Sequence, residues 1–160
     1  MHDALCRITP FACASLLMLP LAAAAQSGPA SACDPGAQKT AYAALLRADQ
    51  DARTELLRFR PATEVEREAL RRRIIAQDPA NQAALDALVA QCGWPGDDAE
   101  PNANLAAALI VIQHAPLAYM ERYEARIMQA NQRGRVSGGF MAAFLDRLLA
   151  RQAQARGEVR

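Results

Sequence analysis

The stretch Leu105–Ala115, LAAALIVIQHA, decides the fold. Leu, Ala, Ile and Val fill every position before Gln113 and His114. A helix with one apolar stripe lies on a core, whereas a helix that is apolar all round lies inside one. Read as a helix over Ala103–Ala115, this segment is the centre of a bundle. It is too short to cross a bilayer, which takes about 20 apolar residues.

Its neighbours also carry helix signals. Pro116 opens a helix that ends before Gly134, and Ser137 caps a last one from about Gly138 to Gln154. Upstream, Asp78 and Pro79 have the pattern of a cap and first position, and Gly93 that of a stop, so a helix is expected between them. Before it, Thr63 and Glu66 form a capping box for a charged helix ending near Gln77. Glu64, Glu66 and Glu68 lead this helix and Arg71, Arg72 and Arg73 follow, in accord with the helix dipole. A first helix runs from Pro35 to about Phe59 and stops at Pro61. No segment alternates with the period of a strand. The sequence therefore predicts an all-α fold, a single small bundle of about five to six helices over residues 35–156, with 157–160 as a C-terminal tail.

Composition narrows the function. The 160 residues are 52% hydrophobic, enough for one domain with a core. A net charge of +1 with 22% charged residues lacks the basic bias of a nucleic-acid binder. The 5% aromatic content leaves little for base- or sugar-stacking platforms.

The N-terminal segment is expected to be a cleaved signal peptide over residues 1–25. Arg7 precedes an apolar run from Phe11 to Ala25, and Ala23 and Ala25 form an A-x-A cleavage pattern. Residues 26–34 then form a flexible arm, and the protein is expected to be periplasmic or secreted. Cys6 and Cys13 leave with the signal, so the mature chain keeps Cys33 and Cys92. In an oxidising compartment two cysteines usually pair. Two unpaired thiols are the alternative, and a third reading makes Cys33 the lipid anchor of a poor lipobox, Ala30-Ser31-Ala32-Cys33. Any contact with the membrane is expected only through export or that anchor.

A few polar residues fall where apolar ones belong. On the first helix Tyr42, Leu45, Leu46, Leu56 and Leu57 share a face, with Asp49 and Arg53 in its middle and Gln50 at its edge. A carboxylate and a guanidinium there must be paired, either as a structural strut or as the lining of a polar pocket. Gln113 and His114 end the central helix, and His114 is the last histidine once the signal is gone. It is either a satisfied core residue or a general base or ligand-binding group. On the last helix Met141, Phe144, Leu145, Leu148 and Leu149 face the core. Asp146 points nearly away from them and Arg147 flanks them beside Phe140. Gly93, Trp94 and Pro95, with Cys33 and Cys92, read as structural: Trp94 packs over the end of the bundle, or stands exposed beside a binding groove. No nucleophile elbow, phosphate loop or HExxH motif is present. No cofactor is expected, and one histidine with two oxidised cysteines gives no metal site.

Taken in order, Asp49-Gln50-x-x-Arg53, Gly93-Trp94-Pro95, Gln113-His114 and Asp146-Arg147 resemble the motifs of an uncharacterised bacterial family of exported helical domains, from about Ala44 to the C-terminus. The resemblance implies a shared polar site at these positions and no particular activity. The chain departs from the pattern in its tail, where Arg156 stands in place of a family Tyr. Two functions are weighed. One is a non-catalytic module of the cell envelope that binds a small ligand or an envelope protein, with Gln50, Arg53, Gln113 and Arg147 as binding residues. The other is a hydrolase or transferase with His114 as general base, Asp49 or Asp146 as its orienting carboxylate, and Arg53 as anchor for an anionic substrate.

Overall fold

α3 (Ala103–His114) forms the middle of the molecule in the computed structural model, which describes residues 33–58, 63–97 and 103–158. Leu105, Ala107, Ala108, Leu109, Val111 and Ile112 are buried, while Ala106 is exposed and Ile110 half-buried, so the helix is covered on most of its circumference rather than all round. Around it stand α1 (Pro35–Arg58), α2 (Glu64–Cys92), α4 (Leu117–Gln132) and α5 (Gly138–Ala155), with a 3-10 turn at Pro95–Asp97. The described residues hold five helices and no strand, so the fold is a small all-α bundle. The expected signal segment, most of the arm and Pro61 lie outside the described residues. No described helix is long and apolar enough to cross a membrane.

The core is one cluster. Tyr42 and Leu45 of α1, Leu85 of α2, Met120 and Ile127 of α4, and Phe144 and Leu148 of α5 close on α3. Local signals set the ends of the elements. Thr63 Oγ1 accepts from Glu66 N at 3.2 Å while Thr63 N donates to Glu66 Oε2 at 3.0 Å, the capping box read from sequence. Ser137 Oγ accepts from Phe140 N at 3.2 Å and starts α5. Gly93 ends α2 at φ 86°, a backbone setting open to glycine and costly for other residues. Trp94 is buried and packs on Tyr123 at 5.5 Å between ring centroids. Its indole lies so close to Gly96 that a Cβ there would stand 2.3 Å from Nε1. The packed reading of Trp94 is thus the observed one. Cys33 and Cys92 form a disulfide that ties the start of α1 to the end of α2.

Three sequence expectations are corrected. The two helices expected on either side of Asp78 are one, the 29-residue α2, with Pro79 inside it. Proline removes the bond that its N–H would make to the carbonyl four residues back. That carbonyl belongs to Ile75, which is 69% exposed, so water can satisfy it. Asp78 does not cap, because its carboxylate is bound to Arg53 of α1. Leu57, expected on the buried face of α1, is 77% exposed, and Leu149 of α5 is 59% exposed. Each lies at the rim of its apolar arc, beyond the reach of neighbouring helices.

Candidate functional site

Asp49 is the hub of the site. Its carboxylate is buried among the apolar residues of α1, at 4% exposure for the residue. Three groups converge on Oδ2: His114 Nδ1 at 2.8 Å, Gln50 Nε2 at 2.6 Å and Arg53 Nε at 3.4 Å. Burial alone would raise the carboxyl's pKa. The hydrogen bond and charge of His114, the bond from Gln50 and the charge of Arg53 outweigh it and hold Asp49 below the ordinary range. Asp49 is therefore ionised at neutral pH and can only accept, so Nδ1 of His114 must be the donor. In the neutral ring this leaves the lone pair on Nε2. The His114 side chain is 17% exposed, and Nε2 has no protein partner among the described residues.

Arg53 links two carboxylates. Its Nε faces Asp49, and its Nη2 pairs with Oδ1 of Asp78 on α2. α5 reaches the edge of the site: the exposed Arg147 donates through Nη1 to the carbonyl of Gln113 at 3.2 Å, at the C-terminal end of α3. A cation is favoured there, where the helix dipole is negative. Arg151, one turn further along α5, is half-buried and interacts electrostatically with both Arg147 and Asp78.

The sequence candidates thus separate. Asp49, Gln50, Arg53 and His114 are brought together in one network, and Gln113 and Arg147 meet at its edge through a backbone carbonyl. Asp146 is exposed and takes part in none of these contacts, as its place on the helical wheel predicts. Arg156, the departure in the tail, is exposed and paired with Glu158 at 2.6 Å. Asp78 belongs to the network, Arg151 lies within reach of its charge, and both went unrecognised in the sequence. Asp78 already had a local explanation as a cap, and Arg151, seven residues after the buried Phe144, sits at the edge of the apolar arc of α5 where a long basic side chain is unremarkable. Among the described residues no three His, Cys, Asp or Glu side chains are grouped as a metal ion would need.

A second polar cluster was also missed. Asp86 of α2 accepts from Tyr123 Oη at 2.7 Å and from Arg122 Nη2 at 2.9 Å. Tyr119 Oη lies 2.9 Å from Asp86 Oδ1 and 3.0 Å from the carbonyl of Gln82. The Arg122 guanidinium lies 4.3 Å from the centre of the Tyr119 ring. Burial and the Asp86 carboxylate push the Tyr123 hydroxyl up to about 12 and raise that of Tyr119 as well. Every member is satisfied by another, so this cluster is a clasp between α2 and α4. The Tyr119-x-x-x-Tyr123 spacing on one helix face is the one signal that could have indicated it.

Comparison with known proteins finds no match: no family model, no curated protein and no solved structure is significantly similar to the chain.

Proposed function

We propose that the domain binds a small ligand through the imidazole of His114, as a module of the envelope of the exporting cell. One observation carries this reading. Asp49 fixes Nδ1 as the donor, which leaves Nε2 of a partly exposed ring without a protein partner among the described residues. Three helices supply this one group: α3 the ring, α1 its carboxylate, and α2 the counter-charge on Arg53. Export is supported by the Cys33–Cys92 bridge, a bond that persists in oxidising compartments, and by the signal-like segment over residues 1–25. A Cys33 sulfur bonded to Cys92 has no valence left for a lipid thioether.

Thermal shift tests the reading. The mature chain is heated with a panel of sugars, amino acids, carboxylates and phosphate esters, beside His114→Gln. A ligand at a hundred times its Kd adds about 2.7 kcal/mol, a shift of several degrees. At least one compound is expected to stabilise the parent chain and leave His114→Gln unmoved. A panel with no difference between the two proteins sinks the reading.

The same hydrogen bond favours a second reading, hydrolysis. An imidazole oriented by a carboxylate at Nδ1 presents Nε2 as a general base. Here His114 would take a proton from water as its oxygen attacks, then return it to the leaving group. Asp146 has no part in this mechanism, and Arg53, already matched by two carboxylates, is a positioning residue. Turnover of p-nitrophenyl esters that disappears in His114→Gln while the fold survives supports hydrolysis. Equal rates in both proteins reject it.

A further inference from the structure

Arg53 was expected to anchor an anionic ligand, but its guanidinium already lies between Asp49 and Asp78. Near the site, α5 carries two arginines that no carboxylate contact neutralises among the described residues. Arg147 and Arg151 are four residues apart and share a helix face. Among the described residues Arg147 bonds only a neutral carbonyl, and that carbonyl belongs to the residue before His114. No hydrogen bond or ion pair holds Arg151 among the described residues, although it is half-buried.

Contacts and longer-range charge interactions link these groups from one to the next around the site. His114 is hydrogen-bonded to Asp49, Arg53 faces Asp49 as an ion contact at 3.4 Å without a hydrogen bond, and Arg53 is bonded to Asp78. Asp78 interacts with Arg151, Arg151 with Arg147, and Arg147 reaches back to the end of α3 beside His114. Three arginines face two carboxylates, so the set is positive even with His114 neutral. The acidic side chain next to Arg147 in sequence, Asp146, stands about 100° round the helix from it and does not offset the pair.

We propose that Arg147 and Arg151 together hold a phosphate group, and that the ligand contacted by His114 is a phosphate ester. The inference rests on the ligand-binding reading of His114. Two adjacent guanidiniums repel each other unless an anion lies between them. Burial, and then the charge of Arg147, hold the Arg151 pKa below its ordinary value, with Asp78 offsetting only part of this. A phosphate monoester carries about −1.5 to −2 at neutral pH and offers three acceptor oxygens. It matches two forked donors in charge and in geometry, where a carboxylate would match one.

Calorimetric titration with inorganic phosphate at fixed ionic strength tests the anchor. The mature chain, Arg147→Gln, Arg151→Gln and Arg126→Gln are compared, with acetate as the competing anion. Arg126 is exposed on α4 and removes the same unit of charge away from the site. Saturable phosphate binding is expected, weakened roughly tenfold to a hundredfold in either α5 variant and unchanged in Arg126→Gln. Unfolding midpoints confirm that the variants fold. No saturable binding, equal binding in all four proteins, or acetate binding as well as phosphate overturns the anchor. If a ligand from the panel still depends on His114, the ligand-binding reading survives that failure. The imidazole NMR signals of His114 are followed in the same titration. Should they stay fixed while the arginines bind phosphate, the joint site is overturned.

Discussion

Asp49 places a charge where the bundle wants a methyl group, and its energetics follow from its partners. Removing one member of a buried, hydrogen-bonded ion network strands the others, at a cost of about 3–5 kcal/mol. Asp49→Ala should lose stability of that order in urea unfolding, while Asp146→Ala, with an exposed side chain, stays within about 0.5 kcal/mol of the parent. The effect carries a pH signature. The folded pKa of Asp49 is lowered, so its contribution is complete above the ordinary value of about 3.9 and fades as pH falls through the folded value. Asp49→Asn should flatten that acid limb. Asp49, Arg53 and His114 were legible in the sequence because each breaks an otherwise apolar face. Asp78, Arg151 and Asp86 were not. Asp78 and Asp86 look solvated on the charged α2 until a side chain from another helix reaches them, and Arg151 looks like an ordinary boundary residue of α5.

Among the elements, α2 departs most from its sequence signals. Asp78-Pro79 reads as a helix start, yet the helix runs through it, because Arg53 takes the would-be cap and water can satisfy the Ile75 carbonyl. Inside the continuous α2, Pro79 costs up to about 3 kcal/mol relative to alanine, less the entropy that proline removes from the unfolded chain. Pro79→Ala should raise stability by about 1–3 kcal/mol; a start at Asp78 would make the change neutral or harmful. The clasp of α2 to α4 has its own pH dependence. The folded pKa values of Tyr119 and Tyr123 are raised, Tyr123 to about 12. Their stabilisation is complete below the ordinary tyrosine value of about 10 and is lost as pH rises from there through the folded values. Chemical denaturation at pH 9 and pH 11 should show that loss, reduced in Tyr123→Phe.

At the scale of the molecule, α3 was legible at once, since an uncharged helix has only one place in a bundle. The grouping of the outer helices around it was not, because amphipathic stripes say which face is inward and not which neighbour it meets. The Cys33–Cys92 bridge closes a loop with a separation of 59 residues, worth about 4 kcal/mol by chain entropy. Reduction should lower the unfolding midpoint markedly without changing the helical spectrum of what stays folded. The function proposed for the molecule depends on one imidazole held by one carboxylate. The direct test is the 15N–1H long-range correlation spectrum of His114, recorded where the ring is neutral, in the parent chain and in Asp49→Asn. The account predicts a proton on Nδ1 and a bare Nε2 in the parent, with that tautomer lost or mixed in the variant. A parent ring carrying its proton on Nε2, or one unchanged by Asp49→Asn, would contradict it.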